Sequence, residues 1–281
     1  MMTSPTNWRG ALEMVRRTLT AVGRQQTGLY PIEGIRLHER ALRAGLTFEL
    51  TVLAKTLAQE KSPRLQELLT HLPPATRHLQ PIPDATMAGL VDGRGLGHLI
   101  SLAKIPPDTN LAEIVTAVPH PLLLVAHEVV DPGNVGAMVR TGHASGATAF
   151  IAIGVSDPYH PKAVRTSMGS LFKTAVCHYP DAANLLPTLR QLGIETVGAA
   201  ASDGVPLPLA TFSERGTAVF MGNEYHGLPA DLLRQLDQRL TIPMSAGIDS
   251  LSVNAATAVI LYEVRCQVSR IKYRAISSPD T

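Results

Sequence analysis

From Pro121 onward, short apolar runs alternate with amphipathic stretches, and the loops between them carry Gly, Pro, Asn or Asp. The run Pro121-Leu-Leu-Leu-Val-Ala126 has no polar face and reads as a strand buried on both sides. The same pattern predicts strands at 121–126, 147–153, 174–178, 195–200, 217–221 and 239–243. Helical spacing predicts helices at 134–145, 160–170, 182–192, 229–236 and 250–270. Strands that alternate with helices build a parallel sheet with helices on both faces, so the fold class is α/β. Upstream, Trp8, Leu12, Val15, Leu19 and Val22 recur at helical intervals and predict a first helix. A strand and turn at 27–34, a helix at 35–44 ended by Gly45, a strand at 48–54, a helix at 65–71 and a short strand at 79–82 follow. These make a smaller α/β unit. The turn-rich Ile105-Pro-Pro-Asp-Thr-Asn110 opens the connection, which places a boundary near residue 115 and domains at 1–115 and 116–281.

Composition narrows the class. Hydrophobic residues make up 45% of the 281 and charged residues 17%, which supports packed cores and argues against wholesale disorder. Aromatics at 4% argue against a broad base-stacking platform, and a net charge of +2 confines any RNA surface to a local patch. Cys177 and Cys266 are too few for a disulfide framework or a zinc site. His120, His127, His143, His160, His178 and His226 lack ligand spacing, so no metal is read. No apolar run approaches the ~20 residues that span a bilayer. The start, Met1-Met-Thr-Ser-Pro-Thr-Asn, lacks the basic-then-apolar pattern of a signal peptide, and a reducing cytoplasm is the default location.

Three stretches place chemistry at strand ends. In Asp131-Pro-Gly-Asn-Val-Gly-Ala-Met-Val-Arg140, Pro132 and Gly133 turn the chain, Asn134 is placed to cap the next helix, and Arg140 falls in its second turn. A helix start at the carboxyl end of a strand is where α/β proteins meet anions and developing negative charge. Phe220-Met-Gly-Asn-Glu-Tyr-His-Gly-Leu-Pro229 is again a strand running into a Gly-bounded loop. Ile242-Pro-Met-Ser-Ala-Gly-Ile-Asp-Ser-Leu-Ser-Val-Asn-Ala-Ala256 is a strand end, a loop and a helix start. Together, in this order, they resemble the SpoU/TrmH branch of the SPOUT superfamily, RNA ribose 2′-O-methyltransferases that use S-adenosylmethionine. The resemblance covers roughly residues 121–273. Asp157-Pro-Tyr-His-Pro-Lys162 and Arg165-Thr-Ser-Met-Gly-Ser-Leu-Phe172 are similar to the family's segment between its first and second motifs.

The resemblance implies a carboxyl-terminal trefoil knot and a homodimer with the last helix at or near its interface. It implies catalytic roles for Asn134, Arg140 and Glu224, and a cofactor pocket at Gly222, Ile242 and Leu251, with Met244 nearby. Ala199-Ala-Ala-Ser-Asp-Gly204 lies at another strand end and is placed to complete it. A ribose hydroxyl is a weak nucleophile. A protonated Arg140 would hold a phosphate and stabilise the developing alkoxide. Glu224 would hold Arg140 or Asn134 in place. Tyr30-Pro-Ile-Glu-Gly-Ile-Arg36 and Ala41-Leu-Arg-Ala-Gly45 resemble a ribosomal-protein-like RNA substrate-binding domain, which favours ribosomal over transfer RNA. Asp92-Gly-Arg-Gly-Leu-Gly97 opens no clear βαβ unit and is not read as a dinucleotide loop. Lys162, Arg165 and Lys173 form either an RNA-facing patch or a solvated helix face. One departure stands out: Ser250-Leu-Ser-Val-Asn254, where the family commonly has Ser-Leu-Asn-Val-Ser. It leaves the roles of Ser252 and Asn254 open. It is also the one feature favouring a non-catalytic RNA-binding or assembly factor that keeps the fold.

Overall fold

The computed structural model describes residues 8–60, 62–72, 81–90, 98–246 and 250–277. Asp92-Gly-Arg-Gly-Leu-Gly97 lies outside the described residues. The chain begins with α1 (Trp8–Thr18), α2 (Ala21–Thr27), β1 (Leu29–Glu33), α3 (Ile35–Arg43), β2 (Leu50–Ala54), α4 (Lys55–Gln59), α5 (Pro63–His71), β3 (Pro81–Ile82), α6 (Asp84–Ala88) and β4 (Leu99–Lys104). It continues with α7 (Leu111–Thr116), β5 (Leu122–His127), α8 (Pro132–Ala144), β6 (Ala149–Ile153), α9 (Pro161–Thr166), β7 (Ala175–Tyr179) and α10 (Ala182–Gln191). It ends with β8 (Glu195–Ala199), β9 (Val205–Pro206), β10 (Thr217–Met221), α11 (Ala230–Gln235), β11 (Gln238–Thr241) and α12 (Val253–Ser277).

Two units divide these elements. Met1–Pro107 with Tyr159–Lys173 form the first, and Asp108–Pro158 with Thr174–Thr281 the second. The boundary read near residue 115 therefore shifts, because Leu111 and Val115 of α7 are buried in the second unit's core. The single amino-terminal helix divides as well. Thr20 caps α2 by accepting from the Gly23 amide, and a Cβ at Gly23 would stand 1.8 Å from the Arg17 carbonyl oxygen.

In the first unit the sheet order is β1-β4-β2-β3. Leu12 and Val15 of α1 bury against Leu50 and Val52 of β2 and Leu102 of β4. The segment Tyr159–Lys173 joins this unit through α9. Arg165 Nη1 donates to Glu33 Oε2 at 2.9 Å, with the Glu33 side chain only 3% exposed. The rings of Tyr30 and Tyr159 lie 5.0 Å apart, and Arg40 Nη1 donates to the Met168 carbonyl. Arg165 is thus the partner of a buried carboxylate and not a free patch cation.

The second unit is an all-parallel sheet in the order β7-β6-β5-β10-β8-β11-β9. The continuously buried run Leu122–His127, apolar up to Ala126, suits a strand covered on both faces. From β5 the chain winds outward through β6 to β7, then returns to build β8, β10 and β11 on the other side. The switch lies between β5 and β10, where Val125 pairs with Phe220. Open parallel sheets bind ligands at such a switch, beyond the carboxyl ends of the strands. On one side of the sheet α12 packs on α8, and Arg265 Nη1 donates to the Ala144 carbonyl at 3.2 Å.

Candidate active site

The loop after β5 and the loop after β10 meet at this switch. Asp131, not Asn134, caps α8: its carboxylate accepts from the Gly133 amide, and Pro132 occupies the first turn where its missing N–H costs nothing. Asn134 is thereby released from capping. Its Nδ2 donates to Glu224 Oε1 at 3.0 Å, an oxygen that also accepts from the Asp131 amide at 3.0 Å. Glu224 Oε2 accepts from the Val130 amide at 3.1 Å. Burial pushes the Glu224 carboxyl up, but the Asn134 amide and the backbone N–H groups outweigh it and hold the group below the usual carboxylate range. Glu224 therefore stays ionised at working pH.

The carboxylate only accepts, so it fixes which end of the Asn134 amide faces it. Asn134 Oδ1 then faces away and accepts from Asn254 Nδ2 at 2.8 Å. The residue left open by the exchanged Ser252 and Asn254 is drawn into the site across 120 positions of sequence. Asn254 Oδ1 is buried and has no hydrogen-bond partner among the described residues.

Glu224 also lines a cavity of about 620 Å³. Gly222, Ile242, Met244 and Leu251 all line it, and so does the strand-end stretch from Ala199 to Asp203. A Cβ at Gly222 would stand 2.3 Å from the Gly227 carbonyl carbon, so only glycine lets the loop fold back here. The cavity suits S-adenosylmethionine on its own chemistry. Its size falls within the roughly 300–1,000 Å³ of cofactor sites. Its walls offer Leu240 and Ile242 to an adenine, and Arg234 and Asp203 to a carboxylate and an ammonium. Among the described residues no group of three or more His, Cys, Asp or Glu is placed to hold a metal.

Arg140 stands apart. It is exposed on the third turn of α8, does not line the cavity, and has no hydrogen bond or ion pair among the described residues. Six positions on from Asn134, it projects about 120° away round the helix. The structure brings Asn134, Glu224 and Asn254 together, and leaves Arg140 out of that cluster.

A family model described as the SpoU rRNA methylase family matches residues 121–262, which contain the β5–α8 loop, Glu224 and Asn254. The chain belongs to this family. It is 34% identical over 51% of its length to the Bacillus subtilis 23S rRNA (guanosine(2553)-2'-O)-methyltransferase RlmP, and spans 57% of that relative. It is 31% identical over 72% of its length to the Haemophilus influenzae 23S rRNA (guanosine-2'-O-)-methyltransferase RlmB, covering 83% of it. A crystal structure described as an RNA 2'-O ribose methyltransferase superposes with a TM-score of 0.75 at 28% identity, covering 95% of this chain and 98% of the other. The SpoU methyltransferase AviRb of Streptomyces viridochromogenes, solved with AdoMet, shares the fold at a TM-score of 0.79 and 24% identity, over 97% of this chain and all of that one. As a SpoU family member, the chain carries its strand-end loops in the matched segment, and the first unit lies largely outside it.

Proposed function

We propose that this chain is a cytoplasmic S-adenosylmethionine-dependent RNA methyltransferase that modifies a ribose 2′-hydroxyl in ribosomal RNA. The observation that carries the reading is the ionised Glu224 at the wall of a cofactor-sized cavity, holding Asn134 at the start of α8. When bound, S-adenosylmethionine supplies an electrophilic methyl group on a positive sulfur. Gly222, Ile242, Met244 and Leu251 enclose and orient that ligand. Asn134, its oxygen tied to Asn254, keeps one amide hydrogen for the ribose. The 2′-oxygen gains the methyl group as its proton passes to solvent water. The Arg140 guanidinium stabilises the charge that grows there and holds a neighbouring phosphate. The first unit selects the RNA.

The working form is a homodimer. Arg140 does not reach its own chain's cavity, and α12 exposes Val259 and Tyr262 at 41% and 68%. A two-fold axis through α8 and α12 would bring Arg140 of one copy to the cavity of the other. The return of α12 onto α8 after β11 supports the knotted path that the family resemblance implies.

An unmodified 23S rRNA transcript, incubated with the protein and labelled cofactor, tests the reading. Label should appear at one ribose, mapped by resistance of the adjacent bond to alkaline cleavage. Label on a base, or on no RNA, would overturn it.

A further inference from the structure

We infer that Tyr225 is a nucleobase-stacking residue that holds the RNA substrate at the mouth of the cavity. The inference deepens the proposed function and rests on it. Tyr225 is 86% exposed, the most exposed large apolar side chain among the described residues. It is the immediate neighbour of Glu224, and both line the cavity. Its hydroxyl makes no hydrogen bond among the described residues, so the fold gains little from it.

The loop beneath the ring is nonetheless fixed. Asn223 Oδ1 accepts from the amides of Tyr225 at 2.9 Å and His226 at 3.2 Å. Asn223 and Gly227 exchange backbone hydrogen bonds of 3.2 and 2.9 Å, and Asn223 Nδ2 donates to the Glu128 carbonyl at 2.9 Å. Gly227 closes the turn at φ +66°. A rigid backbone therefore presents an aromatic face to water beside the reacting centre. Ordering a tyrosine costs little entropy, because only two torsions are fixed.

The chain uses aromatics sparingly, at 4%, and buries others, with Tyr30 2% and Tyr159 6% exposed. Tyr262, the other strongly exposed tyrosine among the described residues, lies on α12 and does not line the cavity. Sequence-selecting RNA proteins splay single-stranded bases onto such faces. A ribose presented to Glu224 and Asn134 carries its base, or a flanking one, within reach of the next side chain. An adenine of the cofactor is a poorer occupant, since a ring so exposed forms no enclosed wall.

The test compares Tyr225→Ala, Tyr225→Phe and Tyr225→Trp on the unmodified 23S rRNA transcript. Tyr225→Ala should raise KM for RNA about tenfold, the scale of one lost base stack. Turnover at saturating RNA and the Kd for S-adenosylmethionine should stay near wild type, and Phe and Trp should restore KM. Trp8 is the only tryptophan. In a Trp8→Phe background, the emission of Tyr225→Trp should be quenched by the transcript. An unchanged KM would overturn the inference. So would a weakened cofactor Kd, which makes the ring an adenine wall, or a shift from dimer to monomer, which makes it a subunit contact. If wild type methylates no transcript while the quench persists, the methyltransferase reading fails and the stacking assignment stands.

Discussion

Glu224 and Asn254 hold opposite ends of the Asn134 amide, and this decides which replacements are mild. Asn254→Ala removes a donor to Asn134 Oδ1 and should lower turnover about tenfold, the scale of one positioning hydrogen bond in a site. Asn254→Asp is isosteric yet should be worse, because it sets a carboxylate oxygen against a carbonyl oxygen. Cofactor affinity should stay near wild type in both, which single-turnover rates and calorimetry would check. A smaller loss in Asp than in Ala would reject the amide chain. Arg140→Ala should lower the single-turnover rate by several orders of magnitude, because in the proposed reaction its contribution belongs to the transition state. Arg140→Lys should rescue poorly, since an ammonium lacks the planar fork. A rate within about threefold of wild type would remove Arg140 from the chemistry. Glu224 and Asn134 were legible as motif residues. Their pairing with Asn254 was not, because it depends on where a distant loop turns back. The cap was misassigned to Asn134 although Asp131 precedes a proline, the residue that most favours the first helical position.

Elements carry a different sensitivity. In α3, His38 is fully buried, and its Nδ1–H donates to the Gly34 carbonyl at 2.9 Å. Nε2 must then accept from the Ser101 hydroxyl of β4 at 2.7 Å, and Ser101 accepts in turn from Thr51 of β2 at 2.7 Å. Burial pushes the ring's pKa down to about 4. The unfolded chain takes up this proton near pH 6.5 and the folded chain does not until about 4, so stability falls as pH drops through that window. The loss is on the order of 3 kcal/mol at most. Amide exchange in α3 and β4 should accelerate between pH 6.5 and 4 once corrected for intrinsic rates, and His38→Gln should flatten that trend. An identical trend in the variant would assign it to other groups. Most strands were legible because apolar runs between glycines and prolines have few alternatives, and 217–221 is β10 as read, whereas no strand was read at β4 or β9. The short helices α4, α6 and α7 were not, since five or six residues show too little periodicity.

For the whole molecule, the proposed homodimer sets Arg140 of one copy at the cavity of the other. Arg140→Ala and Leu251→Arg should each be inactive, the second because a charge in the cavity excludes the cofactor. Co-expressed, they should recover activity, since a mixed dimer joins one intact cavity to the other copy's Arg140. No recovery in a verified mixed dimer would return Arg140 to its own chain's site. The parallel sheet was legible from strand–helix alternation alone. The assignment of Tyr159–Lys173 to the first unit was not, because nothing in that stretch says that Arg165 answers Glu33 across 132 positions.

That assignment bears on how the protein is made. A chain leaving the ribosome folds its early domain first when that domain is continuous in sequence. Here the first unit waits for Tyr159–Lys173, and all of Asp108–Pro158, with β5, α8 and β6, emerges in between. Until then Glu33 sits in β1 without Arg165, the cation it meets at 2.9 Å in the finished unit. The amino-terminal unit therefore cannot finish before the sheet that follows it has begun, and the two units are completed as an interleaved pair.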